Sequence, residues 1–138
     1  MREISDAIME GANAFLKRQY KSIALISLVL AGLIVAAYAL AGQMDFGIKT
    51  AVAFIFGAFC SALAGYIGMW IAVRANIRAA SGAQRSLNDA LTIALRGGAV
   101  SGIMIVALSL IGVTAIYYFY GLTAPVTEVP FLIVGFGF

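Results

Sequence analysis

Residues 50–78 read TAVAFIFGAFCSALAGYIGMWIAVRANIR, and the fold class turns on them. Between Lys49 and Arg74 no side chain is charged, and nearly every one is apolar or small. At ~1.5 Å per residue such a run crosses a hydrocarbon core of roughly 30 Å as a helix. Arg74 and Arg78 then follow, one helical turn apart. A span that ends abruptly in arginines has a direction, and the arginine end is expected to be cytoplasmic.

The same run carries a packing pattern. Ala53, Gly57, Ser61 and Gly65 recur every four residues and form one smooth ridge, with Ala64, Gly68 and Ala72 beside it. Small residues let another backbone approach closely, which is how spans associate where lipid is as apolar as the side chains. The pattern predicts that the Gly57/Ser61/Gly65 ridge faces protein.

Composition sets the class. Hydrophobic residues make up 63% and charged residues 11%, with a mean hydropathy of +1.02. A soluble domain carries roughly twice that charge fraction, so the chain reads as all-α, polytopic membrane protein. A net charge of +3 does not point to nucleic acid, because the cations cluster where topology signals belong. The lone Cys60 supports neither an internal disulfide nor a thiolate cluster and reads as a small packing residue. There is no histidine, hence no imidazole proton shuttle or metal ligand.

Residues 1–21 are expected to form an amphipathic helix at the cytoplasmic interface. Ile4, Ile8, Phe15 and Leu16 fall on one face, with acids early and Lys17, Arg18 and Lys21 late. Glu3, Asp6 and Glu10 share a flank, read as a solvated face because no further ligand group is placed to complete a metal shell. Spans are expected over 22–42, 50–73 and 97–120. A short connection, 43–49, has Gly47 as its breaker and makes the first two spans antiparallel. Residues 74–96 form a basic connection in which Arg74, Arg78, Arg85 and Arg96 face the single acid Asp89. Its helix break is expected at Ser81-Gly82, with Ser86 capping the next helix three residues before Asp89. The arginines read as topology determinants snorkelling to headgroups, with an anion site as the alternative.

On the third span Ala94, Gly98 and Gly102 repeat the small-residue spacing, and Tyr117–Tyr120 form an aromatic belt. After Pro125, Pro130 opens a last apolar run over 129–138 at a favourable helix start. A helix that stops at Phe138 reaches less than half way across a bilayer, so the chain is expected to be a piece of a longer one.

No catalytic, cofactor-binding or metal-binding residue is assigned. Without histidine no Ser/His/Asp or Cys/His set exists, and Gly97-Gly98 lacks the residues of a phosphate-binding loop. No ionisable residue lies deep in a span, so no ion relay is expected in this segment.

The segments EISDAIMEGANAFLKRQY, GAFCSALAGYIGMWIAVRANIRAA, SLNDALTIALRGGAVSG and VGFGF, in that order, resemble the early part of the membrane-integral, ion-translocating inorganic pyrophosphatases. The GYIGMW-x-x-VRAN-x-R stretch is the most specific part. The resemblance implies a homodimeric pump of about sixteen spans. It would hydrolyse magnesium pyrophosphate at the cytoplasmic face and move protons or sodium ions outward; the membrane is expected to be a prokaryotic plasma membrane, with an acidic-organelle membrane as the alternative. It implies that this region supplies outer scaffold helices, with the aspartate-rich substrate motifs beyond Phe138, so Mg²⁺ would bind outside the segment. The partners implied are the lipid bilayer, the remaining spans and a second copy. The alternative is a small non-catalytic polytopic membrane protein or assembly subunit. An upstream span and downstream Asp-rich motifs in frame would separate the two.

Overall fold

The computed structural model of the chain describes residues 2–125 and 127–137; Val126 in the last connection and Phe138 at the end of the last apolar run lie outside them. The described residues form four helices and no strand: α1 Arg2–Leu40, α2 Met44–Ala83, α3 Leu87–Gly121 and α4 Val129–Gly137. The fold class is therefore all-α, as the composition implies. The first three helices have 39, 40 and 35 residues, and each contains a stretch long and apolar enough to cross a membrane. At ~1.5 Å per residue each is roughly 50–60 Å long, well beyond a ~30 Å hydrocarbon core, so each extends past it.

The turns differ in place from the sequence reading, for physical reasons. The first break is at Gly42, not Gly47. Gly42 has φ +74°, a left-handed conformation that costs a residue with a Cβ. Its N–H donates to Ala39 O at 3.0 Å, and Gln43 N–H donates to Tyr38 O at 2.9 Å. That pair of bonds is the Schellman closure of a helix C-terminus. Gly47 instead lies within α2, where an added Cβ would come 2.6 Å from Tyr38 Cβ; it is a close-approach glycine. The second break falls at 84–86, after Gly82 rather than on it. Gly82 is buried because Ala90 N and Ile93 Cδ1 would lie 3.3 and 3.0 Å from its Cβ, again a close approach. Ser86 caps α3 as expected: its Oγ accepts from Asp89 N–H at 3.1 Å.

Contacts divide the chain into two units, residues 1–20 with 63–106 and residues 21–62 with 107–138. In the first, the N-terminal part of α1 packs along α2. Leu16 is buried and Tyr20 hydroxyl reaches the Gly65 surface, while Ile4, Ile8 and Phe15 stay exposed. No Gly or Pro interrupts residues 12–31, so α1 continues through Lys21 without a break. The α2–α3 hairpin closes through Gly97 against Ala75 and Gly68 against Ser101.

In the second unit Ala31, Ala51 and Phe54 form a buried cluster, flanked by Ile34 and Val35. The short α4 is docked by glycines. An added Cβ at Gly57 would come 2.5 Å from the Phe136 carbonyl oxygen, and one at Gly135 2.5 Å from the Thr50 carbonyl oxygen. At Gly112 it would strike the Phe136 ring. Val129 and Leu132 are fully buried on the same face of α4. Pro130 sits in its first turn, where a missing N–H is tolerated.

Candidate functional site

The acidic side chains are dispersed among the described residues. Among the described residues no three of His, Cys, Asp and Glu come together to hold a metal ion. Glu3, Asp6 and Glu10 are all exposed on α1. Asp45 pairs with Lys49 one turn on, at 3.1 Å, with its carboxylate almost fully in the open. Such a pair contributes little to stability. Cys60 is a free, buried thiol on α2. No oxygen cage of the kind Mg²⁺ requires is present among these groups.

The charge that does converge is positive. On the α2–α3 hairpin the register that sets Gly97 against Ala75 brings Arg96 of α3 to the groove that holds Arg74 and Arg78 of α2. That groove has a volume of ≈ 490 Å³. Arg74 lies 3.7 Å over the centre of the Trp70 ring and donates from Nη1 to the Trp70 carbonyl at 3.2 Å. A guanidinium on an aromatic face one helical turn away is held in place by its own helix. A second groove of ≈ 480 Å³ continues toward the hairpin tip and adds Arg85 and Asp89. The sequence shows all four arginines in one connection but not which of them share a groove. Their grouping depends on which positions face each other across the hairpin, and that follows only once the turn is placed at 84–86.

The small-residue ridges are used unevenly. Ala53 and Ala64 are buried, Gly57 meets α4, Gly65 meets Tyr20 and Gly68 meets Ser101. Ser61 and Ala72 are exposed. On α3, Gly98 and Gly102 meet nothing within 4 Å, and Gly97 makes the close contact. Tyr120 is not simply a belt residue, because its hydroxyl donates to Lys49 O at 2.7 Å.

Similarity to known proteins identifies the family. The family model described as "Inorganic H+ pyrophosphatase" matches residues 1–138, the whole chain. The chain belongs to the inorganic H+ pyrophosphatase family. Members similar to it include a K(+)-insensitive pyrophosphate-energized proton pump of Caldanaerobacter subterraneus, 52% identical over 149 residues. A second pump of the same description, from Moorella thermoacetica, is 54% identical over 138 residues. The pyrophosphate-energized membrane proton pump 3 of Arabidopsis thaliana is 40% identical over 157 residues. Each alignment takes in 100% of this chain but only 21%, 19% and 20% of the relative. The chain thus spans about a fifth of the length of the curated pyrophosphatases it matches. No solved structure matches it. The family and the three long apolar helices together make this an integral, multi-pass membrane protein.

Proposed function

We propose that this chain is a scaffold segment of a pyrophosphate-energised proton pump, which couples hydrolysis of inorganic pyrophosphate to ion movement across a membrane. The observation that carries the proposal is identity above 50% to two such pumps along the whole chain. Both are described as K(+)-insensitive proton pumps, which favours protons over sodium ions and independence of potassium here. Both are bacterial and more similar than the plant relative, which favours a prokaryotic plasma membrane.

The chemistry of the segment supports the scaffold role. Pyrophosphate is a polyanion handled with Mg²⁺, which needs clustered carboxylate oxygens, and ion transfer needs ionisable groups within the membrane. The six acids here are dispersed, so the metal and substrate ligands belong to other parts of the pump. The segment contributes helix packing within the bilayer, in an assembly expected to be a homodimer from the family resemblance. Its Arg-bearing hairpin, 74–96, faces the cytoplasm, where the positive-inside bias puts it, and the connections 43–49 and 121–128 face outward.

The test is to express the complete pump and the 138-residue chain in parallel and measure Mg²⁺-dependent phosphate release from pyrophosphate in membranes. Release by the complete protein, coupled to acidification of inverted vesicles and unaffected by K⁺, is expected. No release is expected from the segment. Activity in the segment alone overturns the scaffold role, and an inactive, correctly inserted complete protein overturns the pump.

A further inference from the structure

We propose that the groove between α2 and α3 lined by Arg74, Arg78 and Arg96 holds one anionic phospholipid. Its phosphodiester sits on the three arginines and one acyl chain lies along Trp70, Ile71 and Val100.

Charge is the first argument. Three guanidiniums line one groove, and among the described residues no carboxylate lies within ion-pairing distance of any of them. The attraction for an anion is left open, and guanidinium donors match phosphate oxygens in pairs. Arg74 is already positioned by its stack on Trp70 and its bond to the Trp70 carbonyl, so ordering it costs little on binding.

Depth is the second. The uncharged run of α2 ends at Arg74, and Arg78 lies one turn, ~6 Å, farther along. Arg96 is level with them, because its neighbour Gly97 packs on Ala75. A headgroup layer is roughly 5–8 Å thick on each side of the core, so all three reach it together. Arg78 and Arg96 also border the outer groove, where Arg85 and Asp89 lie nearer the hairpin tip and the carboxylate opposes a second anion.

The shape of the groove selects lipid over free phosphate. Its far end is apolar: Ile71 is half-buried, and Trp70 and Val100 are each about half exposed. A free anion would use only the arginine end. A phospholipid uses both, and basic pockets between spans are a recurrent way of holding such headgroups. The proposal stands whether or not the complete protein pumps.

Trp70 is the single tryptophan of the chain, so it reports on the groove. The complete protein and its Trp70→Phe variant are reconstituted with phosphatidylglycerol or phosphatidylcholine brominated in the acyl chain, and the difference in quenching is assigned to Trp70. Phosphatidylglycerol is expected to associate about fivefold more strongly than phosphatidylcholine. Arg74→Gln with Arg96→Gln should bring that ratio to about one, while Arg85→Gln should keep it. Equal quenching by the two lipids in the unmutated protein, or quenching by neither, overturns the proposal without reliance on any arginine variant. Loss of the preference on adding excess inorganic phosphate, with Arg85→Gln unchanged, assigns the site to a free anion and overturns the lipid.

Discussion

The hydroxyl of Tyr120 donates to the backbone carbonyl of Lys49 across 2.7 Å, joining positions 71 residues apart in the chain. The bond ties the last turn of α3 to the first turns of α2. It lies beside Thr50, whose carbonyl meets Gly135 of α4. Removing it by Tyr120→Phe should lower stability by about 0.5–1.5 kcal/mol, since the Lys49 carbonyl keeps its place in the helical ladder. The thermal unfolding midpoint of the complete protein in detergent measures this. An unchanged midpoint would mean that the bond is exchanged freely for water.

The glycines give a paired test. Gly57→Ala and Gly135→Ala each push a methyl group against backbone oxygen of a neighbouring helix, which cannot swing aside. Each should destabilise by about 1–2 kcal/mol after the gain in helix propensity is allowed for. Gly98→Ala and Gly102→Ala meet nothing within 4 Å and should be neutral or stabilising by up to about 1 kcal/mol in this segment. If all four behaved alike, the docking of α4 on α2 would not depend on close approach.

At the first turn, Gly42→Ala forces a Cβ into a left-handed conformation at φ +74° and should cost about 1–2 kcal/mol. Gly42→Asn should cost less, because asparagine tolerates that region. Comparing the two unfolding midpoints separates backbone strain from loss of space, since nothing lies within 4 Å of this position.

Orientation is checked by single-cysteine labelling at Gln43 and Gln84, both exposed, in a Cys60→Ser background. Cys60 is buried, so its replacement by a residue of similar size should leave the helices in place. An impermeant thiol reagent added from outside should label position 43 and spare position 84. Labelling of position 84 from outside would reverse the proposed topology.

Much of this protein was legible without coordinates. Uninterrupted apolar runs can satisfy their backbone groups in lipid only as helices, so the all-α class and three long helices follow from composition and length alone. The Ser86 cap was legible because a cap is local chemistry. The family was legible in the GYIGMW-x-x-VRAN-x-R stretch and extends over the whole chain. What the sequence could not decide was anything that depends on which residue stands opposite which. Gly42 and Gly47 are equally good breakers on paper; Gly42 takes the positive φ and Gly47 the contact with Tyr38. Gly97 and Gly98 are adjacent, and a one-residue difference of helical phase sends one against Ala75 and the other into open space. The convergence of Arg96 with Arg74 and Arg78 has the same origin. A small residue or a charge has the same local propensity wherever it sits, and only the register of the packed hairpin determines what it meets.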